Sequence, residues 1–478
     1  MNVFGRCGSV DGIRRTLWLF ILLTLAGLSV LMVPIQSPDE NSHLARAYLL
    51  SRGELLLQDF PAQLEPVAES PAMAIFFERA RLQKGRMGGM VDQGLLRFIN
   101  GYMELASKPD RRLTDTEQKR LAELEWTGRR DFTLLPGTGY YFPAIYAPHA
   151  LGFGLGQWMS LSVAHSYQLV RGLTLLVCLV MLWRAFQLLM PSPAVMALLM
   201  LPMSVFQLLS PTLDGLTTSL AVLAISIFLR NASLGGRHSA GASWSLAVCV
   251  FLLATTRAHL LVLLALPFFL AWRSLSIRDF CLGCGAALAA FAWTGFALGS
   301  TTDVRIVRQQ GTVEMLLLYA ADPMAFLRVV WVSVTDPEFS TFYQKSFIGI
   351  LGWLDAPLAK LFYPVLWAGL GLCVVMSLSF AKLSENWQLR VLLLGLALIS
   401  VGGIFLALLA TWTPHPALLV HGVQGRYFVV PALMLAYAMS ALEMTEGSLR
   451  HRMASVTTAG FAVLCISALT LTLFGRYH

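Results

Sequence analysis

Charge is scarce in this chain. Only 13% of its residues are Asp, Glu, Lys or Arg, about half the share found in soluble domains. With 56% hydrophobic residues and a mean hydropathy of +0.65, that shortage excludes one large soluble core and implies a multi-pass membrane protein. Signatures of nucleotide and nucleophile chemistry are missing as well. There is no Walker A loop, Gly-x-Ser-x-Gly elbow, His-Glu-x-x-His pair or Gly-x-Gly-x-x-Gly fingerprint. Any energy for a reaction must therefore arrive with the substrate. The seven cysteines are scattered, most of them inside apolar runs. Cys281-x-x-Cys284 stands alone at the start of an apolar helix, and reads as a pair of small packing residues rather than a metal or redox site. A small-x-small cleavage signal is also absent, so the apolar run 17–33 is expected to remain as an anchor.

What charge there is reports topology. The formal balance is +8, but the basic residues lie mostly in short connectors, a pattern of membrane orientation rather than nucleic-acid binding. Arg6, Arg14 and Arg15 place the N-terminus inside, and the segment after residue 33 then emerges outside. Further spans are expected near 168–188, 194–209, 213–230, 280–299, 358–380, 390–411, 427–442 and 455–474. Residues 244–272 read as a hairpin of two crossings, because Arg230 and Arg237 before it and Arg273 and Arg278 after it belong on one side. That puts Arg257 and His259 at the tip and leaves no arginine unpaired in hydrocarbon. The total is about eleven spans in one membrane domain over 1–478, with Lys382, Arg390, Arg450 and Arg452 inside and the C-terminus outside. Such a chain is an all-α polytopic membrane protein. No internal repeat is visible, so an inverted-repeat transporter finds no support.

Two outer loops are large. Residues 34–142 hold nearly half of the charged residues, acids and bases about equal. Thr114-x-x-Glu117 there is a capping-box signature for a surface helix. Residues 143–160 are apolar but interrupted by Pro143, Pro148 and three glycines, which suits an interfacial or re-entrant segment. The second large loop is 300–357.

The polar residues of interest fall on this one outer face. In Pro34-Ile-Gln-Ser-Pro-Asp-Glu-Asn-Ser-His43, Ser37 as N-cap, Pro38 and Glu40 make a capping box, with Gly53 ending the helix. Capping accounts for Glu40 better than for Asp39, which has His43 four residues on along the same face. A carboxylate at a helix start is held ionised by the helix dipole, which suits metal binding or orientation of an attacking hydroxyl. Asp214 is either a turn residue or a second carboxylate for an acid–base pair or a metal site. Arg257, with His259, either snorkels or grips an anionic headgroup. Gln424, Arg426 and Tyr427 in Gly422-Val-Gln-Gly-Arg-Tyr427 are an interfacial anchor or a fork of donors, with Gly422 and Gly425 permitting close backbone approach. Trp353 and Asp355 either anchor a loop or face an acceptor sugar.

Three of these stretches also carry a likeness. Pro34-x-x-Ser-Pro-Asp-Glu-x-x-His43, Phe347-x-Gly-x-x-Gly-Trp-Leu-Asp355 and Gly422-Val-Gln-Gly-Arg-Tyr427 resemble a bacterial family of predicted multi-pass membrane proteins of unknown function, grouped with the GT-C glycosyltransferase clan. The resemblance implies a GT-C-like bundle whose first periplasmic loop contains juxtamembrane helices, and a sugar donor on a polyprenyl-phosphate carrier. It implies an acid in the first outer loop, the place Asp39 fills, and a second outer-loop acid where Asp214 stands. The first loop has no Asp-x-Asp motif, which departs from clan members that use a metal.

The expectation is therefore an inner-membrane glycosyltransferase acting on a cell-envelope glycan, lipid or protein at the periplasmic face. Asp39, His43 and Asp214 would be catalytic. Glu40, Arg257, His259, Trp353, Asp355, Gln424, Arg426 and Tyr427 would bind substrate, and Asp39 with Asp214 would hold Mg or Mn if a metal is used. The bilayer and the lipid-linked sugar are the partners, nucleic acid is not. The alternative is a non-enzymatic flippase or export partner for lipid-linked glycans.

Overall fold

The computed structural model describes residues 24–25, 27–61, 71–234, 238–305, 311–378, 386–440 and 449–478, with the side chains of 71–73 excepted. Most of the first expected span, and with it Arg6, Arg14 and Arg15, lies outside the described residues, as do Arg237 and Lys382. Residues 27–31 are helical and lead into the Asp39 turn.

Long runs of Leu, Ala and Val become helices in lipid because only a helix satisfies its backbone groups internally. Among the described residues, five helices are long and apolar enough to cross a membrane: Val163–Leu188, Leu213–Ser233, Ile277–Ser300, Trp387–Thr411 and Leu449–Tyr477. The pair Thr312–Ala321 and Pro323–Thr335, bent by 102°, makes a sixth if it is one broken span. Among the described residues, the other expected crossings after residue 160 are shorter or broken helices. Near 194–209 there are two helices, Pro193–Met200 and Pro202–Leu209, because Pro202 has no N–H to continue the ladder. The Leu213–Ser233 helix is the axis of the bundle, its apolar window 78% buried against 39% or less in the other four.

Residues 240–274 form the expected hairpin, as Ala240–Ala254 followed by Ala258–Leu264 and Ala265–Ser274. Its ends meet: His238 Nε2 is 2.9 Å from Asp279 Oδ2, and Arg278 donates to the His238 carbonyl at 3.3 Å. Arg257 is thereby carried to the far tip. The connector arginines gather at the end where the hairpin closes. Arg273 donates to Asn386 Oδ1 at 2.8 Å, and Arg390 caps the carbonyls of Ala438 and Ser440 at 2.7 and 3.0 Å. The last helix ends on the opposite face, where Arg476 donates to the carbonyls of Leu105, Lys108 and Arg111 in the first loop.

The first loop departs from an all-helical reading. Beside the helices Glu40–Ser51, Gln93–Met103 and Asp115–Ala122 it holds an antiparallel sheet, with Arg86–Asp92 between Gln58–Asp59 and Arg130–Leu134. Two glycines make the middle strand possible. A Cβ on Gly88 would lie 2.2 Å from the Thr133 carbonyl oxygen, and one on Gly89 would lie 2.4 Å from Leu49 of the Glu40–Ser51 helix. The sheet thus braces the helix that follows Asp39. The Thr114–Glu117 capping box forms as expected. Residues 143–160 become a short 3₁₀ turn and the twelve-residue helix Ala147–Trp158, about 18 Å long and too short for a full span. Cys281 and Cys284 are free and exposed on the Ile277–Ser300 helix, so they are not packing residues.

Candidate functional site at the Asp39 turn

The turn that presents Asp39 is strained. Ile35 (φ 63°) and Asp39 (φ 66°) both adopt the left-handed region, which is costly for a β-branched residue above all. Two side chains hold the Ile35 peptide from both sides: its N–H donates to Glu40 Oε1 at 3.1 Å, and its carbonyl accepts from Trp353 Nε1 at 2.7 Å. Glu40 also accepts from Ser37 N–H at 3.0 Å and Tyr167 OH at 2.7 Å. Arg171, bonded to Tyr167, caps the carbonyls of Ser29 and Met32 at 3.0 Å each. Burial raises the Glu40 pKa, with the Arg171 guanidinium opposing it.

The capping box is therefore only half present. Glu40 reaches back to Ser37 N–H, but the Ser37 hydroxyl donates to Gln207 Oε1 at 3.2 Å instead. The helix starts at Glu40, one residue after Asp39, and the Asp39 carboxylate caps nothing. It is left free to face outward. Trp353→Phe keeps an aromatic ring but removes the bond to Ile35, and is expected to cost about 1 kcal/mol in unfolding. A variant unfolding with the wild type in detergent would show that the indole does not hold the turn.

Around Asp39 lies an alternating file of charges. Arg426 Nη2 is 3.3 Å from Asp39 Oδ2, and Arg426 Nη1 is 3.1 Å from Asp214 Oδ2. The other Asp214 oxygen pairs with Arg257 Nη2. Each member arrives from a different element. Asp214 sits in the first turn of the central helix, where Gly215 lets the Pro202–Leu209 helix approach: a Cβ there would meet the Gln207 carbonyl at 2.7 Å. Arg257 comes from the hairpin tip. Arg426 comes from a 3₁₀ turn, Gly425–Phe428. Gly425 must be glycine, since a Cβ would lie 2.0 Å from the Phe347 backbone nitrogen; its own N–H donates to Ser346 Oγ at 2.8 Å. Tyr427 lies under both guanidinium groups, 5.6 Å from Arg257 and 5.3 Å from Arg426, and Tyr141 flanks Arg257 at 5.7 Å. Exposure falls from Asp39, whose side chain keeps 46% of its surface, through Asp214 at 15% to Arg426 at 3%. The open side of the site is the Asp39 side.

Burial works against ionisation of Asp39, but the Arg426 guanidinium, with His43, Arg305 and Arg257 around it, holds its pKa below the ordinary value. His43 is buried with Nδ1 2.8 Å from Tyr146 OH. Burial lowers its pKa to about 4, against the pull of Asp39 and Asp214, so it is neutral at pH 7. In the unfolded chain a histidine titrates near 6.5 (an approximate reference value). Between those values the unfolded state binds a proton that the folded state does not. Stability is therefore complete above about pH 6.5 and falls as the pH drops towards 4, by about 3 kcal/mol from this imidazole. Unfolding midpoints of wild type and His43→Gln, compared from pH 7 to pH 4.5, should show a shallower acid loss in the variant; equal slopes would contradict this.

A family model described as "Predicted membrane protein (DUF2142)" matches residues 22–436, a stretch that includes Asp39, Asp214, Arg257 and Arg426. The chain belongs to the DUF2142 family. No curated protein and no solved structure matches it.

In this DUF2142 chain the remaining sequence-derived residues take other places. Glu40 and Trp353 support the turn from beneath. Asp355 forms a buried pair with Arg476 at 3.0 Å, apart from the charge file. His259 lies two residues beyond Arg257 and packs on the Trp387–Thr411 helix, where a Cβ at Gly403 would be 3.2 Å from its Cα. The Gln424 amide oxygen is buried with no hydrogen-bond partner. Sequence reasoning missed Tyr141, Tyr146 and Arg305. Arg305 stacks on Trp412 at 4.7 Å and is chelated by Asp303. The Gly-Tyr-Tyr-Phe-Pro run at 139–143 was the available signal for the first of these.

Asp39 and Asp214 do not make a cation site in this DUF2142 protein. Arg426 stands between them, and among the described residues no group of three His, Cys, Asp or Glu side chains could hold a metal ion. The donor set does not fit Mg or Mn.

Proposed function

We propose that this chain is a membrane glycosyltransferase of GT-C type, moving a sugar from a polyprenyl-phosphate-linked donor to a cell-envelope acceptor at the periplasmic face of the bacterial inner membrane. The observation that carries this reading is one half-exposed carboxylate, Asp39, beside the guanidinium groups of Arg426 and Arg257 at one end of a bundle of membrane helices. The resemblance of its three motifs to a family grouped with the GT-C clan supports the same assignment.

The parts fit the chemistry. The acceptor hydroxyl gives its proton to Asp39 as its oxygen bonds to the anomeric carbon of the sugar. The bond from that carbon to the phosphate oxygen breaks, and its electron pair leaves with the lipid phosphate. Negative charge grows on that phosphate, where fixed guanidinium groups stabilise it more in the transition state than in the ground state. A depressed Asp39 pKa keeps the carboxylate ionised and ready to accept the proton. His43 is buried and its Nδ1 is engaged with the Tyr146 hydroxyl at 2.8 Å, so Asp39 is the open carboxylate left to take the proton.

Cells lacking the protein test the reading. They should lose one sugar from an envelope glycan, lipid or protein while the lipid-linked sugar accumulates on the periplasmic leaflet. Accumulation on the cytoplasmic leaflet would favour a flippase, and an unchanged envelope would exclude both.

A further inference from the structure

Arg426 is already occupied on two sides, and an anionic ligand can reach it only by exchange. Its two contacts are unequal. Asp214 stands at the N-terminus of the central helix, where unpaired N–H groups favour a negative charge, and its second oxygen is taken by Arg257. It is held from three directions. Asp39 makes one ion pair, at 3.3 Å, and its half-exposed carboxylate caps no helix. Tyr427 beneath both arginines and Tyr141 beside Arg257 restrict the guanidinium planes. The Asp39 backbone is fixed as well, through the Glu40 and Trp353 bonds to Ile35, so the freedom left at this end of the file is rotation of the Asp39 side chain.

We infer that a phosphate-bearing ligand binds by replacing Asp39 on Arg426, while Asp214 keeps Arg426 and Arg257 together as a two-guanidinium clamp. One anion enters as one carboxylate turns away, so the charge on the buried arginine stays matched throughout. Asp214, which the sequence suggested as a catalytic acid, becomes a positioning residue: both its oxygens are committed to arginines. Combined with the proposed function, on which this second step rests, the exchange fixes an order. The lipid-phosphate donor binds first, and its arrival frees Asp39 to take a proton from the acceptor. A carboxylate still paired with Arg426 is a weaker base.

Binding of inorganic phosphate and of a short-chain prenyl monophosphate to the full-length protein in detergent tests the exchange without any turnover. Asp39→Asn removes the competitor and should bind the phosphate probe more tightly, by roughly fivefold for a pair of this exposure. Arg426→Ala should lose binding. Asp39→Asn removes a single long contact, so an unchanged unfolding midpoint will show that its fold is intact. Tightening with both probes supports recognition of the phosphate group itself; tightening with the prenyl ester alone supports a lipid ligand. Equal or weaker binding by Asp39→Asn, or no binding of either probe to either protein, overturns the exchange. The enzymatic reading fails separately: tighter binding by Asp39→Asn with no sugar transfer by the wild type keeps the exchange and removes the transferase, and transfer by the wild type without tightening in Asp39→Asn does the reverse.

Discussion

Asp39→Asn is expected to reduce sugar transfer by about 10²–10⁴-fold, the usual loss when a positioned general base is removed. Its fold should be nearly untouched. The carboxylate caps nothing, and its one ion pair, to Arg426 at 3.3 Å, involves a side chain that keeps 46% of its surface. Pairs of that exposure contribute at most about 1 kcal/mol. Asparagine has the same shape and can still accept a bond from Arg426, so the turn should survive. The measurement is turnover in reconstituted vesicles alongside thermal unfolding in detergent. Loss of both together would show that Asp39 is structural.

Asp214→Ala should have the opposite profile. Two guanidinium groups, Arg257 and Arg426, would lose their shared partner inside the bundle. Removing one member of a buried pair costs about 3–5 kcal/mol, because the other charge is left without compensation. The protein should unfold at much lower temperature or denaturant concentration, and what remains folded should bind phosphate with poor geometry. Asp214→Asn keeps the hydrogen-bonding shape and should recover part of the stability. An Asp214→Ala protein as stable as the wild type would show that the clamp contributes little to the fold.

The contrast between these two aspartates was not legible in the sequence. Both appeared as outer-face acids in short polar stretches, and only the structure shows that one is engaged on both oxygens and the other on one. The side on which they meet was legible, because the charges flanking residues 244–272 required a hairpin, and His238 and Asp279 do close its base. The glycines of the 422–427 motif were read correctly as sites of close approach, and Gly425 packs on the Phe347 backbone. The first-loop sheet was not legible. Its middle strand, Arg86–Asp92, contains two adjacent glycines, which lower strand propensity and disguise a close backbone contact. Trp353 was read as a loop anchor or a face for an acceptor sugar and Glu40 mainly as a cap; their bonds to the Ile35 peptide depend on a left-handed conformation that composition does not signal. Arg305 belongs to none of the motifs of the 300–357 loop, and only the fold sets it against Trp412 and Asp303.

Purified protein in vesicles, supplied with a polyprenyl phosphate carrying a labelled sugar and an envelope acceptor, tests the central claim most directly. The wild type should move label to the acceptor and release one polyprenyl phosphate per sugar moved, and Asp39→Asn should do neither while remaining folded. Equal turnover by wild type and Asp39→Asn, or passage of the intact lipid-linked sugar across the bilayer with no transfer, would contradict it.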